Sequence, residues 1–388
     1  MGKNGGQYAI LLPMSLGEKS FRKGVYSMAG TVIGAGTFAV PAAMHSMGVA
    51  AGTAAFWLVA LLILITHLLF VDVALSSANT EKKRFPGYVG LVLGNKFKFL
   101  ATIAHSAQIL GAGFIYLVLG GEFMAALVGN GVMGDVFVWQ LIFWVLGSVA
   151  VSVGLKLVMK IEGWLTMMLI FLMLVSSGLY FGRIQPELFF VSSWQNISVV
   201  LGVFLFSLAG WNVIPEIGQF FKGDRGKTRQ AVVIGSLSAA FLIWLFGVMA
   251  YAAIGTGLGE SVGDLSKGLP SDLFWLIPVV GLLAVATSYI TLLQDLVESF
   301  RRDAKFGKPL SYAITFGVPL SLLFLTSRQA VQSIGFVGSA LTSINALLLS
   351  VTAIKLLAKR KDLSRVWRIG APLLCAGSFG VIFIWSLF

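Results

Sequence analysis

Along this chain, runs of about 20 mostly apolar residues alternate with short polar or basic stretches, and about 20 residues is the length an α-helix needs to cross a bilayer. The runs fall at 21–47, 50–78, 98–127, 136–155, 161–182, 197–221, 229–254, 271–299, 309–326, 330–356 and 367–387. They predict eleven transmembrane helices, spans 1 to 11, and an all-α polytopic membrane protein. The segment Pro86 to Asn95 is too short and too Gly-rich to cross, and reads as an interfacial helix on the inner leaflet. Residues 1–20 lack a basic-then-apolar leader pattern and read as a cytoplasmic tail.

Two spans are interrupted. In span 1, Gly30-Thr-Val-Ile-Gly-Ala-Gly-Thr37 places Gly34 and Gly36 where the backbone can unwind, and Pro41 follows. In span 6, Ser207-Leu-Ala-Gly-Trp-Asn-Val-Ile-Pro215 repeats the device. Unwound backbone survives at membrane depth only inside protein or along a cavity, and paired broken helices mark the solute site of a secondary transporter. An offset of 174 residues carries Gly34–Thr37 onto Leu208–Trp211, Gly113 onto Thr287 and Met168 onto Thr342. Five helices per copy is an odd number, so the second copy runs the other way through the membrane. The expected organisation is a 5+5 inverted repeat with broken helices 1 and 6. It comprises 21–182 and 197–356, plus one extra C-terminal helix at 367–387.

Composition agrees: 57% of residues are hydrophobic, 11% are charged and mean hydropathy is +0.90. The net charge of +12 would suit nucleic acid if it formed a face, but it lies in clusters at alternate ends of the spans. With the N-terminus inside, 25 of the 28 Lys and Arg fall on the cytoplasmic side, leaving Arg183, Lys267 and Arg328 outside. A multi-pass protein of the plasma (inner) membrane is expected, with a cytoplasmic N-terminus, an external C-terminus and no nucleic-acid partner. The single Cys375 excludes an intrachain disulfide and a CxxC site. His45, His67 and His105 form no HExxH motif and no GxSxG occurs, so an intramembrane hydrolase is disfavoured and the histidines read as interhelical hydrogen bonders. A channel would need a polar stripe or charge ring, which is absent. No cofactor and no obligatory protein partner are expected.

Gly30 to Pro41 followed by Gly48, together with Ala209-Gly-Trp-Asn-Val-Ile-Pro-Glu216, resembles the amino acid/auxin permease group of the amino acid–polyamine–organocation superfamily. Its nearest branch is the bacterial aromatic (tryptophan/tyrosine) permeases. The resemblance covers essentially the whole chain. It implies the five-plus-five fold of the bacterial leucine transporter and an amino acid substrate carried by ion-coupled symport.

An α-amino acid needs partners for a carboxylate and an ammonium. Freed N–H groups of Ala35, Gly36 and Thr37 begin the second half of helix 1, where the helix dipole favours an anion. Carbonyls of Ser207, Leu208 and Ala209, with Val32 and Ile33, suit the ammonium. Trp211 walls the side-chain pocket, or else sits at the lipid interface. Gln108, Gly111, Ala112 and Tyr116 share a face of span 3 and either line the pocket or allow close helix approach. Tyr289 of span 8 completes the set. These groups are apolar, hydroxyl, amide or aromatic, so a neutral, hydrophobic or aromatic substrate is expected.

Span 8 contains Ala284-Val-Ala-Thr287-Ser288, resembling the sodium segment of the leucine-transporter fold. The resemblance implies Na⁺ ligands from the carbonyls of Gly30, Ile33 and Ala284 and the hydroxyls of Thr287 and Ser288. The hydroxyl pair alone favours bonds to its own helix; its register beside the break in span 1 favours Na⁺. Proton coupling is the alternative. Some proton-coupled relatives use a lysine of helix 5; the middle of span 5 has none, and Lys160 lies near its cytoplasmic entrance. Asp72, Glu122, Glu216 and Asp295 are intramembrane carboxylates and functional suspects on that ground. Glu216 is the leading proton candidate, and Asp72 and Glu122 read as snorkelling or paired near helix ends. Glu298 and Asp303 stand level with Lys19, Arg22 and Lys23, and read either as one side of a cytoplasmic gate or as solvated boundary charges.

Overall fold

The computed structural model describes residues 16–76, 83–128, 135–153, 155–190, 193–194, 197–259, 262–361 and 363–387. Tail residues 1–15, the Lys160 side chain and Glu260 lie outside the described part. The helices in chain order are α1 (Leu16–Val32), α2 (Val40–Met47), α3 (Val49–Ala74), α4 (Phe85–Leu93), α5 (Asn95–Val128), α6 (Val136–Val153), α7 (Leu155–Phe181) and α8 (Ile197–Leu208). They continue with α9 (Ile214–Phe220), α10 (Arg225–Ile254), α11 (Val262–Ser266), α12 (Leu276–Arg302), α13 (Lys308–Leu325), α14 (Ala330–Phe336), α15 (Ser343–Leu357) and α16 (Ala371–Trp385). Among the described residues there is no strand, and ten helical spans are long and apolar enough to cross a membrane. The bent pair α1–α2 makes an eleventh.

With no water in the bilayer core, polar side chains in these helices bond their own backbone. Thr66 Oγ1 donates to the Leu62 carbonyl, Ser176 Oγ to Leu172 and Ser350 Oγ to Ala346, each at 2.8 Å. Small residues let backbones meet. A Cβ on Gly202 of α8 would overlap the carbonyl of Gly335 in α14, and α8 crosses there onto a π-turn, Val337–Thr342, that leads into α15. Leu146 of α6, Phe324 of α13 and Leu374 of α16 are more than half exposed, which places these three helices at the lipid-facing periphery.

Two local expectations gain detail. The Pro86–Asn95 segment is α4, a helix with only its second half at the surface, where Leu91 is 49% exposed. The first turn of α4 is buried in the bundle, with Phe85, Pro86, Gly87, Tyr88 and Val89 all inside. Of the two readings of Asp72, pairing near the helix end holds: its side chain is fully buried and accepts from Arg225 Nε (2.8 Å), Arg229 Nη1 (2.8 Å) and Trp367 Nε1 (2.7 Å). Arg229 also lies over the Trp367 ring, 4.6 Å from its centroid. One buried carboxylate thus ties α3, α10 and the segment leading into α16 together at the end of the molecule where α1 begins, called the basic end below.

Candidate substrate site

At the first interruption, α1 stops at Val32, a 3₁₀ turn covers Ala35–Ala39, and α2 restarts with Pro41 in its first turn; the two halves are bent by 47°. At the second, α8 stops at Leu208, a 3₁₀ turn covers Trp211–Val213, and α9 restarts with Pro215 in its first turn. Neither glycine at the breaks is in the left-handed region: Gly34 has φ −131° and Gly210 φ −151°. Gly34 is extended where the helix unwinds, and these glycines also permit close approach. A Cβ on Gly34 would stand 2.8 Å from Ser288 Oγ, one on Gly36 2.6 Å from Ser207 Cα, and one on Gly210 2.6 Å from Val32 Cγ2.

Between the breaks lies a small cavity of about 40 Å³. That is room for about one water, whose share of liquid volume is about 30 Å³. Its wall is Thr31, Val32, Gly34 and Gly36 from the first break; Gln108, Ile109, Ala112 and Tyr116 from α5; Phe206, Ala209, Gly210, Trp211 and Asn212 from the second; and Leu292 from α12. A larger cavity of about 540 Å³ opens away from the basic end, beside Ala42, Ser46, Val203, Leu258 and Gln332. A third pocket of about 10 Å³, with Phe38, Leu119 and Ile334 in its wall, adjoins the larger one and shares Ala42 and Leu258 with it. An amino acid therefore enters the inner cavity only with movement of side chains or half-helices.

Two polar networks fix the wall. Gly210 N–H, released by the end of α8, donates to His67 Nε2 at 3.1 Å. Nε2 is therefore the unprotonated nitrogen, and Nδ1 carries the hydrogen toward Ser236 Oγ at 3.0 Å. His67 is fully buried and its ring meets Trp211 edge-on, centroids 6.4 Å apart. On the other side, Gln108 Nε2 donates to Thr342 Oγ1 (3.0 Å) and Gln108 Oε1 accepts from Asn345 Nδ2 (2.8 Å).

Of the expected substrate residues, Val32, Gly36, Gln108, Ala112, Tyr116, Ala209 and Trp211 line the cavity. Trp211 is buried beside His67 and not at a lipid interface. Ile33, Ala35, Thr37, Ser207 and Leu208 are buried but not among its lining. Thr37 N–H bonds the Gly34 carbonyl at 3.1 Å, so Ala35 and Gly36 hold the N–H groups that a 3₁₀ turn leaves without an internal partner. Gly111 faces Val337 instead, and Tyr289 packs on Gly147 and the Phe143 ring of α6. Thr31, Gly34, Ile109, Phe206, Gly210, Asn212 and Leu292 were not anticipated. The motif contained a signal for Gly34, Gly210 and Asn212; nothing in the sequence singled out Leu292.

Of the expected sodium ligands, Ser288 lies against Gly34 at the first break. Thr287 Oγ1 donates to the carbonyls of Leu283 (2.8 Å) and Ala284 (3.1 Å), its own helix, and keeps lone pairs free. Gly30 packs on Thr166 of α7. Glu216 is not free: it pairs with Arg84. Arg84 also meets Asp295 (3.0 Å) and Glu298, and Asp303 accepts from the backbone N–H of Arg84 (3.2 Å) and Gly87 (3.1 Å). Glu298 thus pairs with Arg84 and Arg302, and Asp303 with the backbone at Arg84 and Gly87, a different set from the Lys19, Arg22 and Lys23 of the gate reading. Burial opposes the Arg84 charge, but Asp295, Glu216 and Glu298 outweigh it and raise its pKa. Burial pushes the Asp303 carboxyl up, against the two N–H donors.

A crystal structure of MhsT in complex with L-phenylalanine has a TM-score of 0.64 to this chain at 17% identity, covering 94% of this chain and 98% of that one. That likeness is of fold, the leucine-transporter type. A tryptophan-specific transport protein of Pseudomonas aeruginosa (strain UCBPP-PA14) is 26% identical over 81% of both chains. Another, of Shigella flexneri, is 27% identical over 90% of both. Residues 17–385 match the tryptophan/tyrosine permease family as a whole, and the chain belongs to that family of multi-pass membrane proteins.

Proposed function

We propose that the chain is a secondary active transporter of neutral aromatic L-amino acids, working as an ion-coupled symporter by alternating access. The observation that carries this reading is the cavity between two helix interruptions, walled by Trp211, Tyr116 and Phe206 and containing no charged side chain. The first break offers N–H groups of Ala35 and Gly36 to a carboxylate, and the end of α8 offers carbonyls to an ammonium. Tryptophan is the favoured member of the class, since both curated relatives are described as tryptophan-specific transport proteins. Those relatives are transporters, which points away from an enzyme.

The 5+5 inverted repeat of 21–182 and 197–356 is part of this proposal. In its support, α2 and α9 begin at Val40 and Ile214, 174 residues apart, each with proline next. The proposed setting is the plasma membrane with the basic end cytoplasmic, so the 540 Å³ vestibule faces outward.

Na⁺ is the proposed coupling ion, a co-substrate held by the carbonyls of Gly30, Ile33 and Ala284 and the hydroxyls of Thr287 and Ser288. Its support is the placement of Ser288 against the first break. A proton is the second reading, favoured by the enclosure of Glu216 with Arg84 and two further carboxylates. Uptake of a labelled amino acid panel into proteoliposomes, with sodium and pH gradients imposed separately, tests both points. Tryptophan uptake driven by sodium alone is the expected result. Preference for arginine or glutamate would refute the substrate class, and full uptake in sodium-free buffer would refute the ion.

A further inference from the structure

Five side chains in the wall of the inner cavity carry hydrogen-bonding groups: Thr31, Gln108, Tyr116, Trp211 and Asn212. Four of them are accounted for. Thr31 Oγ1 donates to the Ser27 carbonyl of its own helix at 2.8 Å. Both ends of the Gln108 amide are engaged, by Thr342 and Asn345. The Tyr116 hydroxyl stands with Ser288 Oγ beside Gly34, at the first break. Trp211 is 2% exposed, and its indole nitrogen can only donate. Asn212 differs. It is half-buried in the 3₁₀ turn that follows the second break, and its side-chain amide makes no hydrogen bond among the described residues. Its carbonyl is an acceptor in this wall that no protein donor has claimed.

The place of this amide matters as much as its freedom. α5 enters the bundle from the basic end, so Gln108 stands about 12 Å nearer that end than Tyr116 does. α9 runs from the second break to Glu216 in the Arg84 group, so Asn212 also lies on the basic-end side of the cavity. The N–H groups of Ala35 and Gly36 and the carbonyls that end α8 lie at the breaks, and Ile109, Ala112 and Leu292 supply apolar wall. A substrate whose carboxylate and ammonium are held at the breaks therefore sends its side chain along apolar wall toward the two amides.

We propose that Asn212 is a specificity-determining residue: its Oδ1 accepts the indole N–H of a bound tryptophan and selects against rings that have no donor there. Closing the cavity over a substrate strips water from Oδ1. An indole N–H takes the place of that water, whereas phenylalanine, or a ring of indole shape without the N–H, leaves a dry and unpaired carbonyl. This rests on the carrier reading and goes past it, because apolar walls and the absence of charge admit phenylalanine and tryptophan alike.

The probe is 3-benzothienyl-L-alanine, in which sulfur replaces the indole N–H with little change of shape. Half-saturation is measured for labelled tryptophan in proteoliposomes, and the inhibition constant of the probe against that uptake. In the parent chain the probe should need about tenfold more than tryptophan, about 1.4 kcal/mol. Asn212→Leu should raise half-saturation for tryptophan about tenfold and leave the probe within about threefold, so that the preference disappears; Asn212→Ala serves if the leucine variant does not fold. A merely structural role would weaken both ligands alike, and that result overturns the proposal. So does a parent chain that takes the two equally, or a folded variant that keeps the preference. Uptake of no amino acid by the parent chain would remove the carrier reading itself, and this inference with it.

Discussion

At Gly36 one methyl group is enough to disturb the site, because its Cβ would stand 2.6 Å from the Ser207 backbone, where neither break can yield without moving the other. Gly36→Val is expected to abolish uptake at wild-type membrane levels; wild-type affinity in the inserted variant would show that the breaks are not the binding site. His67 offers a sharper test. Its Nε2 is the only partner shown for the N–H released at Gly210, and a buried N–H left unpaired costs about 1–3 kcal/mol. Glutamine can place Oε1 where Nε2 stands, whereas asparagine reaches only as far as Nδ1. His67→Gln should therefore keep substrate half-saturation within about threefold, and His67→Asn should raise it about tenfold or more, about 1.4 kcal/mol. Equal damage from both would reduce His67 to a packing residue.

The element scale shows what could be read in advance. Pro41 and Pro215 act locally, in the first turns of α2 and α9, so the interruptions had a signal in the sequence; the close approaches of Gly34, Gly36 and Gly210 to other helices did not. The face that each helix turns inward was legible only in part. Tyr289 and Leu292 are three residues apart on α12, about 60° around the axis at 3.6 residues per turn. Tyr289 meets α6 and Leu292 the cavity, and apolar periodicity does not fix so small a rotation in a helix buried on several sides. Arg84 was illegible for another reason: it ends the run Lys82-Lys83-Arg84, and its carboxylates lie 132 to 219 positions further along the chain. The contact of α12 with the first break makes its own prediction. Thr287→Val with Ser288→Ala removes two of five proposed oxygens with little change of shape. The sodium concentration for half-maximal uptake should rise at least about tenfold, about 1.4 kcal/mol, and tryptophan affinity at fixed sodium should fall with it. An unchanged sodium response would return both hydroxyls to helix bonding.

For the whole molecule, the two ends are unlike. The basic end is closed by the Arg84 group and by Asp72 with its two arginines, while the far end holds the 540 Å³ vestibule, with a small pocket at Phe38, Leu119 and Ile334 beside it. On the proposed reading, in which the basic end is cytoplasmic, the vestibule opens outward above a nearly filled site, and each end should answer to reagents from its own side. Ser46 lines the vestibule and Gln219 is exposed at the opposite end. On a Cys375→Ala background, Ser46→Cys in intact cells should react with a membrane-impermeant maleimide, and Gln219→Cys should react only after the membrane is broken. Sodium and tryptophan together should slow the Ser46→Cys reaction, because a filled site favours closure of the vestibule and both ligands bias the same state. The reverse labelling pattern would turn the molecule over in the membrane. Equal labelling rates with and without ligands would separate the vestibule from the transport cycle.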